Sequence, residues 1–143
     1  MALPPLCQLP SIDEYRIRFE TTYCQGSIST FDGIGVRFKK SDFDHCFFES
    51  SHRDGVKDQF SIKRSERIDW IKAALQDANA DLFKGWNSQK KRYDGTRRVC
   101  LVSGNYVVVN AITGQYTARF ITAFVADTPR TLARLLSSPK WTV

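Results

Sequence analysis

The second half of the chain carries the pattern that most constrains its fold. Three runs rich in β-branched and aromatic residues, "RVCLV", "YVVVNAI" and "TARFITAFVA", are separated only by the short breaks "SGN" and "TGQ". Short breaks that contain glycine between such runs are typical of β-hairpins. The pattern predicts a three-stranded antiparallel meander, joined by at least one strand from the first half. "GIGVRFKK" (33–40) alternates like a strand, and "FDHCFFES" (43–50) reads as a second short strand or extended segment.

Three helices are expected around these strands. "SIDEYRIRFETTY" (11–23) starts with Ser11, a good N-cap, and has a glutamate three residues on. A second helix, roughly 64–78, has apolar residues in the 3, 4, 3 spacing of one buried stripe: Ile68, Ile71, Leu75 and Ala78. Pro129 opens a last short helix, "PRTLARLL". Strands and helices are segregated along the chain, which predicts an α+β fold.

Length and composition predict one domain at 11–143 after an extended, proline-containing lead-in at 1–10. The longest apolar runs are far too short to span a bilayer, and the first ten residues lack the pattern of a signal peptide. The cysteines show no C-x-x-C spacing, so we expect reduced thiols in a cytosolic setting. They are Cys7, Cys24, Cys46 and Cys100. A zinc site made from Cys46, His45 and His52 would fit no common ligand spacing, so no metal is expected.

Charge is distributed unevenly. Residues 1–60 contain 7 Lys/Arg and 9 Asp/Glu, whereas residues 61–143 contain 14 and 6. A basic half of this kind suggests a polyanionic partner, RNA or DNA first and an acidic membrane surface second, although a merely basic soluble protein fits as well. The segment 84–98 reads as a loop in which six cations and one acid are interleaved with Trp86 and Tyr93.

The stretch "SIKRSERIDWI" (61–71) places cations at the start of the predicted second helix, where the helix dipole disfavours them. Arg64 lies four residues before Ile68 and Arg67 four before Ile71, so both should project toward the edge of the buried stripe. Arginines beside a core need a carboxylate or a phosphate for their forked donors. Glu66, Asp69 or a carboxylate across the sheet is one possible partner, and a bound anion is the other.

Two further side chains could carry chemistry. His45 lies between Phe43 and Phe47, and in a strand all three would share one face. It could be structural, or it could shuttle a proton near neutral pH. Thr122 would share a face with two phenylalanines in "FITAF", either as ordinary strand material or as a hydroxyl donor to a phosphate oxygen. His52 lies in a polar loop and reads as solvent-exposed.

These features occur in an order that resembles the BECR nuclease superfamily (barnase, EndoU, colicin and RelE-like toxins), and more closely its phage-associated branch. The features are a histidine in an aromatic segment, "RSERIDWI", an aliphatic hairpin, "FITAF" and a closing "SPKW". The resemblance covers roughly residues 30–141. It implies helices packed on a roughly four-stranded antiparallel sheet, and a metal-independent toxin ribonuclease without a cofactor.

Carried over to this sequence, the resemblance implies a catalytic set of His45, Arg64, Arg67 and Thr122. RNA would be cut by attack of the ribose 2′-OH on phosphorus, giving a 2′,3′-cyclic phosphate, with His45 as acid or base, the arginines as phosphate clamp and Thr122 as donor. Neither a general-base glutamate nor a second histidine stands out. The RNA-binding side chains would be Lys84, Trp86, Lys90, Lys91, Arg92, Tyr93, Arg97, Arg98, Lys140 and Trp141.

The resemblance also implies action on RNA in the cytosol of the producing or target cell and an acidic immunity or antitoxin partner, without a membrane partner. tRNA is one possible substrate. Two alternatives remain open at the level of sequence. The first is a non-catalytic nucleic-acid-binding module of the same fold. The second is an enzyme that acts on a nucleotide cofactor, such as an ADP-ribosyltransferase.

Overall fold

The computed structural model describes residues 3–50, 57–87 and 91–140, and the side chains of 85–87 and 93–100 lie outside that description. The helices within these ranges are α1 (Ile12–Tyr23), α2 (Asp42–Phe47), α3 (Ile62–Ser65), α4 (Ile68–Leu75) and α5 (Pro129–Leu136). The strands are β1 (Ile28–Ser29), β2 (Gly35–Arg37), β3 (Phe48–Glu49), β4 (Gln59–Phe60), β5 (Asp81–Asn87), β6 (Arg92–Ser103), β7 (Tyr106–Ile112) and β8 (Thr117–Val125).

The predicted α+β class is confirmed, whereas the expected sheet differs from the one observed. The meander β6–β7–β8 is antiparallel as expected. It belongs, however, to a six-stranded sheet in the order β1-β2-β8-β7-β6-β5, and β2 pairs with β8 in parallel. A four-stranded, purely antiparallel sheet is therefore wrong. One added strand, β5, includes the start of the basic segment for which the sequence predicts a loop, because "DLFKGWN" pairs with β6.

The main core lies on one face of this sheet. Helix α1 contributes Tyr15, Phe19 and Tyr23 to the core. These residues are spaced four apart and so line one side of the helix. Phe19 is fully buried and meets Phe38 edge-on, with ring centroids 6.0 Å apart. Ile68, Ile71 and Leu75 of α4 are also buried, as the predicted stripe requires, but the helix ends at Leu75 and Ala78 is exposed.

A smaller second cluster lies on the opposite face, under α5. Its buried members are Phe83, Val102, Val107, Val109 and Ala126, and Leu132 and Leu135 of α5 pack against them. The alternation of β7 explains the two clusters, since Val107 and Val108 are both fully buried but belong to opposite faces of the sheet. Helix α5 starts as predicted, with Pro129 in its first turn and Thr128 as N-cap.

The segment 43–50 is not a strand. Residues 42–47 form α2, and only Phe48 and Glu49 are extended, pairing with Phe60 and Gln59. The helix is favoured because Phe43, Cys46 and Phe47 follow a 3, 1 spacing that places all three on one buried side.

The lead-in is extended, as expected, and it is also anchored to the fold. The Tyr15 hydroxyl donates to the Cys7 carbonyl at 2.9 Å and accepts from the Leu9 amide at 3.0 Å. The Trp70 indole donates to the Pro4 carbonyl at 2.6 Å, and the Cys7 amide donates to the Glu66 carbonyl at 2.7 Å. Several backbone N–H and C=O groups of the lead-in therefore find partners on α1, on α4 and at the α3–α4 junction.

Candidate active site

Arg64 is on α3, and its side chain extends to the end of α2 and to strand β3. Its Nη1 donates to the Cys46 carbonyl at 3.0 Å, and its Nε is 3.9 Å from Oε1 of Glu49. A cation at a helix C-terminus is favourable, because the last carbonyls of the helix have no partner within it. The Arg64 side chain is 29% exposed and that of Glu49 is 50% exposed. Arg64 is thus fixed at one nitrogen while part of its guanidinium faces solvent.

Thr122, on β8, lies next to the side chain of Cys46, the residue whose carbonyl binds Arg64. The Cys46 thiol is fully buried and donates to the Ala123 carbonyl at 3.6 Å. Burial raises the pKa of this thiol to about 11, although the Ala123 backbone, the Arg64 charge and the Thr122 hydroxyl each lower it. The thiol is therefore neutral near pH 7 and is not the nucleophile of a thiolate mechanism. Its role here is structural, since Arg64 and Thr122 both interact with it.

A β-bulge changes the surroundings expected for Thr122. Val109 pairs with Thr122 but the next residue, Asn110, pairs with Phe120, so β8 has one additional residue there. The inside–outside alternation shifts at such a point. As a result Phe120 belongs to the main core and Phe124 packs with the second cluster. The expectation that these two rings flank Thr122 on a single aromatic face is wrong.

His45 does not share a face with its aromatic neighbours. In the helix α2, Phe43 and Phe47 are buried one turn apart, and His45, two residues from each, is exposed. The predicted strand environment is wrong because the segment is helical. His45 does lie in the last turn of α2, and it directly precedes Cys46, whose carbonyl binds Arg64. It is therefore exposed to solvent and adjacent in sequence to the residue whose carbonyl binds Arg64.

Arg67 is oriented differently from Arg64. Its Nη1 donates to the Lys63 carbonyl at 2.6 Å and to Glu66 at 3.2 Å, and its guanidinium lies 4.9 Å above the Trp70 ring. The prediction that Arg64 and Arg67 point in the same direction is wrong, because it assumed one continuous helix. The helix is interrupted between α3 and α4, and Arg67 has non-helical angles, φ −101° and ψ 19°.

The side chain of Arg67 is 17% exposed, and its Nε is buried without a hydrogen-bond partner among the described residues. Burial raises the pKa of Tyr106, and the charges of Arg64 and Arg67 lower it. Of the two, only Arg64 has the exposure that a phosphate clamp needs. The Glu66 alternative weighed for the arginines is the one observed for Arg67.

A second ion pair is formed by Lys63, the residue before Arg64. Lys63, on α3, pairs with Asp127 at 2.5 Å, and this hydrogen bond is the main cause that lowers the Asp127 pKa.

Glu49 is the site residue that sequence reasoning missed. Its relation to Arg64 depends on the turn from α2 into β3, and that turn is hidden when 43–50 is read as one strand. A half-exposed carboxylate beside an arginine is a reasonable proton acceptor.

The basic segment forms a long hairpin instead of a loop. Asp81–Asn87 pairs with Arg92–Ser103, with a register shift after Lys84. Lys84 is half-buried and its amide donates to the Pro139 carbonyl at 2.8 Å, while Lys91 and Arg92 are exposed near the tip. The predicted RNA-binding side chains of Trp86, Tyr93, Arg97 and Arg98, and the whole of Lys90 and Trp141, lie outside the described residues, as does His52.

Lys140 is held at the sheet edge. Its backbone bridges to Phe83, its ammonium lies 4.5 Å above the Phe83 ring, and it pairs with Asp81 at 3.5 Å. Because it remains exposed, these contacts leave it accessible to solvent. Within the part of the chain that the structure describes, no three His, Cys, Asp or Glu side chains converge as a metal site, and no helix is long and apolar enough to cross a membrane.

No family model, curated protein or solved structure matches this chain.

Proposed function

We propose that the chain is a metal-independent endoribonuclease that cuts RNA by 2′-OH transesterification. The observation that supports this proposal is the arrangement around Cys46. Arg64 donates to its carbonyl, the Thr122 hydroxyl lies close enough to its thiol to lower the thiol pKa, and the Glu49 carboxylate lies 3.9 Å from the same guanidinium. The partly exposed Arg64 and Glu49 side chains, with the Thr122 hydroxyl next to Cys46, supply the cation, carboxylate and hydroxyl that phosphoryl transfer by internal attack requires.

Each side chain has a role in this reaction. Arg64 holds a nonbridging phosphate oxygen and stabilises the charge that develops on phosphorus. Thr122 donates a hydrogen bond to another phosphate oxygen. Glu49 takes the proton from the 2′-OH, and His45 returns a proton to the leaving 5′ oxygen. Arg67 acts as a positioning residue that holds the α3–α4 junction, since its Nη1 donates to Lys63 and Glu66.

The resemblance to the phage-associated branch of the BECR superfamily remains part of the proposal. It leads us to propose action in the cytosol, RNA such as tRNA as the substrate, and an acidic immunity or antitoxin protein as the partner. The excess of cations after residue 60 supports the RNA substrate and the acidic partner, because each is negatively charged. The exposed Lys91 and Arg92 at the hairpin tip would contact the RNA backbone, with Lys84 and Lys140 at its base.

The proposal is tested by incubation of end-labelled RNA with the protein in EDTA. We expect wild-type protein to cut, and Arg64→Gln to cut about 10²–10³-fold more slowly, the loss typical of one donor to a developing oxyanion. Lys72→Gln is the matched control, because it removes one positive charge from an exposed position on α4. Equal rates for the two variants would contradict the assigned role of Arg64.

A non-catalytic RNA-binding module is the second candidate. It is favoured by the placement of Arg67, whose side chain is mostly buried and whose Nη1 donates within its own turn, since this removes one member of the expected catalytic set. A binder and an enzyme differ in the fate of the RNA. If wild-type protein binds labelled RNA tightly and leaves every molecule intact at high protein concentration, the binder replaces the ribonuclease.

A further inference from the structure

Two arginines lie side by side on neighbouring strands of the sheet. In the parallel pair β2–β8, Arg37 is the register partner of Arg119. Residues in register on adjacent strands project from the same face and are close neighbours. Val36, Ala118 and Phe120, which alternate with the two arginines, are buried in the main core. Arg37 and Arg119 therefore project from the opposite face, away from α1 and α4.

This pair is electrostatically unfavourable by itself. Both side chains are exposed, and like charges directly opposite each other on adjacent strands destabilise a sheet. Neither guanidinium has an ion pair or a hydrogen bond to another described residue. The two arginines of α1 differ from this pair, since Arg16 and Arg18 form ion pairs with Asp44 and Asp69.

The described neighbours of the pair leave it exposed. Across β8 and β7 the partner of Arg119 is Ala111, a small, half-buried residue, and across β7 and β6 the backbone partner of Ala111 is Arg98. Helix α5 covers the second cluster on this face through Leu132 and Leu135, and it leaves the two arginines exposed. Among the described side chains, this face thus presents two exposed and unpaired arginines, Arg37 and Arg119, side by side on neighbouring strands.

We propose that Arg37 and Arg119 bind the phosphates of single-stranded RNA along this sheet face. The inference rests on the proposed ribonuclease function, since it extends the path of the substrate beyond the phosphodiester held at Arg64. The occupant follows from charge complementarity. A guanidinium matches a phosphate with two parallel hydrogen bonds, and successive phosphates of a strand supply the negative charges that this pair of arginines lacks. Cationic surfaces that track the backbone are the usual means of holding single strands.

Binding is measured by fluorescence anisotropy with a 2′-O-methyl RNA oligonucleotide, which cannot be cut by its own 2′ oxygen, over a range of salt concentrations. The test variant is Arg37→Gln/Arg119→Gln. The control, Arg16→Gln/Lys72→Gln, removes the same charge from α1 and α4. For single strands each phosphate contact contributes about 0.7 to the slope of log affinity against log salt. We expect the slope to fall by about 1.4 in the test variant, and the slope of the control to equal that of the wild type.

A thermal melt distinguishes a binding role from a structural one. Because the pair is repulsive, we expect the Tm of Arg37→Gln/Arg119→Gln without RNA to equal or exceed that of the wild type. A lower Tm with unchanged binding would mean that the arginines stabilise the sheet, and it would overturn the proposal. Equal salt slopes in test and control variants would overturn it as well.

The two proposals fail separately. If unmodified RNA is cut normally but the test variant binds the oligonucleotide as the wild type does, the role of the arginine pair is refuted and the ribonuclease stands. If the wild type cuts nothing but the test variant loses binding as expected, the RNA surface stands and the enzyme is refuted.

Discussion

Replacement of Thr122 by valine separates a catalytic hydroxyl from a structural one. Valine has nearly the shape of threonine and lacks only the hydroxyl that interacts with the Cys46 thiol. Loss of this hydrogen bond alone should lower the free energy of unfolding by about 0.5–1.5 kcal/mol. Loss of a donor to the phosphoryl oxygen should slow cleavage by about 10²–10³-fold, or about 2.7–4 kcal/mol of transition-state stabilisation. The kinetic effect should therefore exceed the effect on stability.

The matched control is Thr122→Ser, which keeps the hydroxyl and should keep most of the activity. Single-turnover cleavage of a labelled RNA gives the rate at saturating protein, and urea unfolding of the same samples gives the stability. If Thr122→Val cuts within twofold of the wild-type rate while its stability falls, the hydroxyl serves only the packing of α2 against β8. The assignment of Thr122 as a phosphate donor would then be wrong.

Three further outcomes follow from buried groups of the fold. Tyr23→Phe should lower the free energy of unfolding by about 1–3 kcal/mol in urea, because its buried hydroxyl makes two backbone hydrogen bonds, whereas Tyr116→Phe, at an exposed position, should be nearly neutral. A hydrogen bond from the Ser103 hydroxyl is the main cause that lowers the pKa of Asp77 in the folded state. The ionised carboxylate therefore stabilises the fold above its unfolded pKa of about 3.9, and this stabilisation is lost as pH falls through the lower folded pKa. The stability difference between wild type and Asp77→Asn should accordingly shrink from pH 7 to pH 3, and a constant difference would contradict this. Cys46 should resist a thiol reagent at pH 8 until denaturant is added, as mapped by mass spectrometry, because it is buried with a pKa of about 11; rapid native labelling would contradict the packing.

The periodic parts of the sequence predicted the fold well. The meander, the capped first helix and the proline-initiated last helix each depend on local rules, and each is found at the expected place. The stripe at Ile68, Ile71 and Leu75 is buried for the same reason. Local pattern was enough wherever apolar spacing and terminal residues indicated the same element.

The errors arise where short segments depend on tertiary context. The aromatic run at 43–50 fits a strand or a helix equally well by composition, and burial of Phe43, Cys46 and Phe47 on one side favours the helix. The break before α4 reoriented Arg67, and a one-residue bulge in β8 shifted the alternation around Thr122. Parallel pairing of β2 with β8 joins distant parts of the chain, and local periodicity contains no information about it.

The candidate site was predicted in part. Arg64 and Thr122 were chosen from the sequence, and the structure brings both to Cys46. Glu49 was missed because its position depends on how α2 turns into β3. The pairing of Arg37 with Arg119 was also beyond sequence reasoning, since it requires the register of two strands that lie far apart in the chain.

The identity of the RNA ends tests the central claim most directly. Wild-type protein and Arg64→Gln are incubated with a defined RNA in EDTA, and the fragments are analysed by mass spectrometry. The account predicts 2′,3′-cyclic phosphate and 5′-hydroxyl ends from the wild type, and almost none from the variant. Intact RNA, or cleavage that EDTA abolishes and Mg²⁺ restores to give 5′-phosphate ends, would contradict it.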